Sequence, residues 1–195
     1  MRKLILFISL FFLIGPKDIY AQEKMNIEIV CFGQIESITL DYLKNNLSEI
    51  FKAQVYKGIT YDLPENAYNK KRKQYLASSI LYNLSKPKDK NHKTLAIIGK
   101  DLYVPELNFV FGLADTLRGA CIISTARLKQ THYSLPEDKD LFLRRTLKEA
   151  VHEIGHLLNL NHCPDSSCVM HFSNSLLDTD RKDYNFCNNC KKFLP

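Results

Sequence analysis

Three histidines and one glutamate in the C-terminal third of the chain have a spacing that can build a metal site. His152 and His156 are four residues apart, so on a helix their imidazoles lie one turn apart on the same face. Glu153 lies beside the first histidine, where its carboxylate can reach a metal-bound water rather than the metal. Zinc lowers the pKa of such a water towards neutrality, so that the carboxylate can accept its proton. The spacing therefore predicts a hydrolytic zinc site.

A third histidine requires a sharp turn at the end of the same helix. His162 is six residues beyond His156, too far round to join the site from a continuing helix. Apolar residues recur at helical spacing from Leu143 to Leu158, after a start signal at 136–140. The turn then falls near Asn159, and it needs a left-handed backbone, which Asn adopts more readily than other non-glycine residues. We expect His162 to return to the metal from a loop.

Four cysteines follow this motif in two close pairs, a pattern typical of a closed tetrahedral zinc site. The pairs are Cys163 with Cys168 and Cys187 with Cys190. Cys163 directly follows His162, so a structural zinc here would hold the loop that carries the third histidine. Met170 lies between the pairs, and its spacing fits either a floor below the three histidines or ordinary core packing.

Taken together, these residues resemble the signature of the archaemetzincin family, within the metzincin clan of metallopeptidases. The resemblance extends to 101–112, 120–128 and 172–175, and covers about half of the chain. It implies a compact metzincin-like α/β domain with a catalytic zinc on the three histidines and Glu153 as general base. It also implies a structural zinc on the four cysteines, and hence two zinc ions, with Met170 in the Met-turn. Asn159 replaces the family glycine, and the interval from Met170 to Cys187 is one residue shorter than the family pattern.

The order of predicted elements also indicates an α/β fold, with a mixed sheet, packed helices, an active-site helix and a zinc-stapled C-terminal loop region. Strands are predicted at 26–32, 55–61, 94–98, 107–111 and 120–125, and helices at 37–51 and 68–84. Ala120 to Thr125 resembles the metzincin strand that runs along the cleft and pairs with extended substrate.

The first 21 residues differ from the rest of the chain and read as a signal peptide. Met1-Arg2-Lys3 is basic, Leu4 to Ile14 is almost wholly apolar, and Gly15-Pro16 ends the run. The apolar run is too short to favour a permanent membrane helix. We therefore expect export to the periplasm or medium, no membrane span after cleavage, and one metallopeptidase domain at 22–195.

Export leaves the state of the cysteines open, because thiols outside the cytoplasm tend to oxidise. The four clustered cysteines could form disulfides instead of holding zinc. Cys31 and Cys121 fall in strand-like runs and are expected to be buried hydrophobes. A disulfide between them stays possible if their strands are neighbours.

The charge of the chain gives little indication of a nucleic-acid partner, and the zinc motif and the family resemblance imply a peptide or protein substrate. The formal charge of +6 is modest, and the basic run 70–73 falls in the helix predicted at 68–84, where it reads as a solvated face. A monomer is expected. Phe172 stands where some metzincins carry a tyrosine that supports the oxyanion, which predicts a slow peptidase. The alternative is a non-catalytic, zinc-stabilised module that binds peptides without cutting them.

Overall fold

The computed structural model describes residues 24–84 and 89–194. The predicted signal peptide and most of the linker predicted at 86–90 lie outside the described residues. The strands are β1 (Asn26–Phe32), β2 (Gln54–Tyr61), β3 (Tyr68–Asn69), β4 (Gln74–Leu76), β5 (His92–Ile98), β6 (Leu102–Tyr103), β7 (Gly112–Asp115) and β8 (Ala120–Ser124). The helices are α1 (Ser37–Phe51), α2 (Ala77–Asn83), α3 (Lys139–Leu157), α4 (Leu176–Arg181) and α5 (Asn188–Lys191).

A five-stranded sheet with helices on both faces forms the centre of the domain. Its strand order is β2-β1-β5-β8-β7, with the first four strands parallel and β7 antiparallel at one edge. The inner strands β5 and β8 are covered on both faces, which explains why they read as continuous apolar runs. Helices α1 and α3 share the core on one face, and α2 lies on the other. This architecture confirms the mixed α/β class.

The helix predicted at 68–84 is wrong in its first half, where the chain forms a small hairpin instead. β3 pairs with β4, and β4 pairs with β6. The Asn69 side chain accepts hydrogen bonds from the backbone N–H groups of Lys71 and Arg72, both 3.1 Å, and so offers the backbone an alternative to a helical turn. Lys73 completes the turn with a positive φ of 56°. Only Ala77–Asn83 is helical.

The strand predicted at 107–111 and the cleft-edge role expected for 120–125 are also corrected. Val110 makes one isolated bridge to Leu102, and the regular strand begins later, at Gly112. β8 cannot border the cleft because it lies between β5 and β7, with both edges paired. The open edge belongs to β7. The sequence missed it because this four-residue strand, Gly112–Asp115, has no strong apolar alternation.

Two further expectations concern cysteine pairing and membranes. Cys31 on β1 and Cys121 on β8 are separated by β5, and both are buried free thiols, so the possible disulfide between them is not formed. Within residues 24–84 and 89–194, none of the helices has the length and apolar character needed to cross a bilayer.

Candidate active site

Helix α3 carries two of the three histidines, and both of its ends are capped as the sequence predicts. Asp138 accepts a hydrogen bond from the Leu141 N–H at 2.8 Å and so starts the helix. At the other end, Asn159 has a φ of 64°. The N–H groups of Asn159 and Leu160 donate to the carbonyls of His156 (2.9 Å) and Gly155 (3.1 Å). This is a Schellman ending with Asn at the left-handed position, and it turns the chain back towards the metal site.

The structure brings the three predicted histidines together at the base of a cleft. His152 Nε2 lies 3.1 Å from His156 Nε2, and the ligand atoms of all three imidazoles lie within 4.8 Å of one another. The His162 ring stacks on that of His152, with centroids 5.4 Å apart. His152 is buried, whereas His162 is exposed at the cleft. The loop after Asn159 therefore supplies the third imidazole from the open side.

The hydrogen bonds of these imidazoles fit a shared metal ion. His152 Nδ1 donates to the Val169 carbonyl and His156 Nδ1 to the Leu160 carbonyl, both at 2.8 Å, because a carbonyl can only accept. Both Nε2 lone pairs then face each other, which is unfavourable unless a cation lies between them. Tetrahedral zinc with Zn–N distances of about 2.1 Å needs nitrogens about 3.4 Å apart. Burial also lowers the pKa of all three histidines, which keeps them neutral for binding a metal.

Glu153 lies at the floor of the same cleft with its carboxylate free. Among the described residues no hydrogen bond or ion pair holds it, although the side chain is buried. Burial raises the pKa of Glu153 to about 8, the neighbouring charge of Glu149 adds to the rise, and Lys182 opposes it. Such a group is suited to accepting and returning a proton at neutral pH.

Met170 lies directly beneath the histidine-bearing helix. It is fully buried, and a Cβ added at Gly155 would collide with its sulfur. Its carbonyl accepts a hydrogen bond from the Cys163 N–H at 2.9 Å, so the methionine turn and the start of the cysteine segment are joined. This placement is compatible with the Met-turn role that the family resemblance implies, which stays a prediction. Gly155 permits the close approach because it lacks a side chain.

The four clustered cysteines also meet, as free thiols rather than disulfides. The sulfurs of Cys163, Cys168, Cys187 and Cys190 lie within 4.8 Å of one another. Cys163 Sγ is 3.8 Å from Cys187 Sγ, the separation expected for two thiolates on a tetrahedral zinc with Zn–S bonds of about 2.3 Å. Hydrogen bonds, chiefly from the Cys190 backbone, lower the pKa of Cys187 to about 7. Four thiols at this spacing fit a structural zinc.

The cleft above the histidines has a volume of about 820 Å³. One wall is the edge strand β7, and Leu107 to Phe111 form the loop that leads into it. Phe172 contributes from the opposite side, where its ring lies 4.8 Å from that of His162. A cleft of this size with a mixed polar and apolar lining and a strand edge in one wall suits a segment of polypeptide.

Sequence reasoning missed three residues at this site. Gly112 on β7 faces Glu153, Glu149 lines the cleft one helical turn before Glu153, and Lys182 is buried against Glu149. Glu149 did carry a signal, because it interrupts the apolar stretch of α3 with a charge. Lys182 carried none, since its 33-residue separation from Glu149 is closed only by the fold.

Comparison with known proteins places these features in a family context. The chain matches Peptidase family M54 over residues 22–195. The archaemetzincin of Methanopyrus kandleri is 41% identical over 173 residues, which cover 87% of this chain and 95% of that relative. The Pyrococcus furiosus archaemetzincin is 41% identical over 176 residues, covering 86% and 91% respectively.

Solved structures show the same similarity. The crystal structure of archaemetzincin from Archaeoglobus fulgidus, complexed with malonate, has a TM-score of 0.77 at 40% identity and covers 87% of this chain and 99% of its own. A zinc-dependent peptidase from Methanocorpusculum labreanum also has a TM-score of 0.77, at 28% identity, covering 87% of this chain and 100% of its own.

Proposed function

The chain belongs to the archaemetzincins, the zinc metallopeptidases of family M54, and from this we propose that it hydrolyses peptide bonds with Glu153 as the general base. The observation that carries the proposal is the pair of Nε2 atoms of His152 and His156, 3.1 Å apart beside a carboxylate that has no protein partner. Ligands and base are thus adjacent on one helix. We base the roles of these residues on the positions of their side chains.

We assign the catalytic zinc to His152, His156 and His162. When bound there, zinc supplies a Lewis acid that polarises the scissile carbonyl and acidifies water. The Glu153 carboxylate takes the proton of the attacking water and later returns it to the leaving amine. Its buried position supports this role, because burial raises the pKa of Glu153 to about 8 and makes the carboxylate a stronger base than one in water.

The open edge of β7 offers backbone groups with which an extended substrate can pair. In an antiparallel pair, alternate residues bond to the partner strand. Ser124 N–H donates to the Phe111 carbonyl at 2.8 Å, so Leu113 continues this ladder, while Gly112 and Ala114 turn their backbone groups to the open edge. An extended peptide can pair with these groups above the histidines. Pairing through the backbone favours peptides in general over one particular side chain.

The absence of a hydroxyl at Phe172 bears on the rate. The Phe172 ring packs beside His162 and offers no hydrogen bond to a developing oxyanion. Loss of one such donor costs on the order of 100-fold in kcat in other hydrolases. We therefore propose a slow peptidase. Turnover as fast as that of metzincins with a tyrosine at this position would contradict this assignment.

We also propose a second, structural zinc on Cys163, Cys168, Cys187 and Cys190. The closeness of the four free sulfurs supports it, as does the link from Cys163 to the Met170 carbonyl. A closed site of four thiolates has no open position for water, so its contribution is to folding. Held in this way, the segment after His162 keeps the third histidine at the cleft.

We also propose that the protein is exported and that the mature chain is a monomer with one domain. The family match begins at residue 22, directly after the predicted signal peptide at 1–21, and supports one metallopeptidase domain at 22–195. N-terminal sequencing of protein recovered outside the cytoplasm tests the cleavage site, and light scattering of the purified protein tests the monomer. A product that retains its first 21 residues, or that stays in the cytoplasm, contradicts export.

The deciding experiment for the peptidase is mass-spectrometric profiling of a diverse peptide library with the zinc-loaded mature protein. Glu153→Ala is the matched control, since it removes the base and leaves all seven proposed ligands. Products formed only by the unchanged protein establish hydrolysis and show whether termini or internal bonds are cut. Equal, undetectable cleavage by both proteins, each with confirmed zinc, contradicts a general peptidase and favours a peptide-binding module.

A further inference from the structure

Two buried carboxylates face the cleft from one side of α3. Glu149 is 2% exposed and Glu153 is 5% exposed, and the two are four residues apart, one turn along the helix. Like charges at this spacing repel each other, and the repulsion grows when both are removed from water. A helix that buries such a pair needs a compensating cation near one of them.

Lys182 is that cation. Its side chain is fully buried, and its Nζ lies 3.0 Å from Glu149 Oε1, although out of line for a hydrogen bond. Thr179 Oγ1 donates to the same oxygen at 3.0 Å. Glu149 is therefore held by two groups from the α4 region. Glu153 has neither a hydrogen bond nor an ion pair within residues 24–84 and 89–194.

A polar network between α3 and α4 fixes the position of Lys182. The Arg145 guanidinium donates two hydrogen bonds to the Asp180 carboxylate, both 2.6 Å. Lys148 Nζ donates to the carbonyls of Thr179 and Asp180 at 3.0 Å each. Lys182 follows α4 directly, and its N–H donates to the Asp178 carbonyl at 3.2 Å. The Lys182 side chain is thus held beside α3 both by the hydrogen bond of its own backbone and by its ion pair with Glu149.

The field of Lys182 also reaches the metal site. Glu149 lines the same cleft as the three histidines, and Lys182 Nζ lies 3.0 Å from Glu149 Oε1. Any cation on the histidines therefore experiences Lys182 as a repelling charge and Glu149 as an attracting one. While the pair is intact, these two effects oppose each other.

We propose that Lys182 is a positioning residue that neutralises Glu149 and so leaves Glu153, among the residues that the structure describes, as the free carboxylate beside the metal ligands. This inference rests on the proposed function, since it concerns the choice of general base. The Glu149 carboxylate is held in place by Lys182 and Thr179, whereas the Glu153 carboxylate has no such partner and can act as the general base. Without Lys182, a second unpaired carboxylate would repel Glu153 and attract the metal.

Opposite shifts in metal affinity distinguish this role from a purely structural one. Cobalt(II) is the probe, titrated into protein whose four-cysteine site is already filled with zinc, so that the visible absorption reports on cobalt at the histidines alone. Lys182→Met is expected to bind cobalt at the histidine site on the order of tenfold more tightly, and Glu149→Gln on the order of tenfold more weakly. The double variant Glu149→Gln/Lys182→Met should return to near the original affinity. A merely structural pair would weaken binding in both single variants, and that result would overturn the proposal.

Kinetics provide the second readout, per equivalent of metal-loaded protein. Lys182→Met is expected to lower kcat on the order of tenfold or more, with KM changed less than about threefold, and the double variant should recover most of the loss. Lys44→Met, the same change at an exposed position on α1, is the control. An unchanged kcat in Lys182→Met also overturns the proposal. If Lys182→Met does not fold, the weaker binding of Glu149→Gln and its reversal in the double variant carry the test.

The two proposals can fail separately. If the unchanged protein cleaves no peptide, the peptidase assignment fails, but the opposite cobalt shifts still report on Lys182. If the protein cleaves peptides and Glu153→Ala does not, while both cobalt shifts are absent, only the role of Lys182 is rejected.

Discussion

Glu153 has room at the cleft floor because the residue opposite it on β7 has no side chain. A Cβ added at Gly112 would lie 2.5 Å from Glu153 Oε1 and 2.6 Å from its Cγ. The Cγ contact matters most, since it is close to the backbone and cannot swing away as the carboxylate can. Gly112 has no positive φ in the structure, so the need for glycine here is one of space and not of backbone conformation.

Gly112→Ala is therefore expected to displace the Glu153 carboxylate and lower kcat by at least about tenfold, equal to about 1.4 kcal/mol of transition-state stabilisation. Zinc content should stay unchanged, because the atoms nearest the new methyl group all belong to Glu153 and not to a histidine. Steady-state kinetics with metal analysis check both points. Gly99→Ala is the matched control, since its added Cβ would meet only ordinary contacts of 3.8 Å or more. Equal kcat values for the two variants would refute the packing argument.

Among the secondary-structure elements, the β3–β4 hairpin stabilises one wall of the cleft through Arg72, a member of the basic run 70–73. Arg72 Nη2 donates to the carbonyls of Leu107 (2.8 Å) and Asn108 (2.9 Å), and its guanidinium lies 4.4 Å from the centre of the Tyr103 ring. Gln74 Nε2 reaches the same Asn108 carbonyl at 2.9 Å. The β3–β4 hairpin thereby holds the loop that leads into β7. One member of the run is engaged in the fold, whereas its neighbour Lys71 is exposed.

Arg72→Met should loosen this wall, because two hydrogen bonds from a charged donor are lost, each worth about 1.5–3 kcal/mol. We expect KM for an extended peptide to rise about threefold to tenfold, with little change in kcat, since no group at the metal site moves. Steady-state kinetics over a peptide concentration series measure the two constants. Lys71→Met removes an adjacent exposed charge and should leave KM as it was. A KM unaffected by Arg72→Met would show that the loop needs no tether.

At the scale of the whole molecule, the cysteine cluster closes the C-terminal segment onto the catalytic helix. Cys163 follows His162 in sequence, and its backbone N–H donates a hydrogen bond to the Met170 carbonyl. Cys187 and Cys190 come from the segment beyond α4. A metal on these sulfurs would therefore fix His162 and the Lys182 region together. Such a closure adds to stability because the site forms only in the folded chain, so the free energy of metal binding contributes to folding.

Cys187→Ser tests this closure. The unchanged protein, purified under reducing conditions, is expected to contain about two zinc ions and the variant about one, with a melting temperature lower by about 10 °C or more for a loss of several kcal/mol. Elemental analysis and calorimetry provide the measurements. Cys31→Ala, at a buried cysteine away from the cluster, should keep both zinc ions. One zinc and no free clustered thiols in protein recovered after export would instead indicate disulfides.

The features that depend on local spacing were predictable without the fold. Imidazoles four residues apart on a helix must share a face, a left-handed turn must follow for His162 to return, and Asn159 can adopt it. Paired cysteines likewise indicate a tetrahedral site whatever the fold around them. Most sheet strands and the helices α1 and α3 were predicted correctly, because burial imposes a regular apolar pattern on them.

The identity of the strand that borders the cleft, and of the charge that pairs with Glu149, depends on long-range packing. Strand order depends on how crossovers pack, so β8 lies inside the sheet and β7 at its edge although both are short. The hairpin at 68–76 is held by Arg72, whose hydrogen-bond partners lie in the loop at 107–108, and no local pattern shows this contact. Lys182 meets Glu149 across 33 residues for the same reason: long-range contacts are set by the packing of α4 on α3, and electrostatic partners follow from that packing.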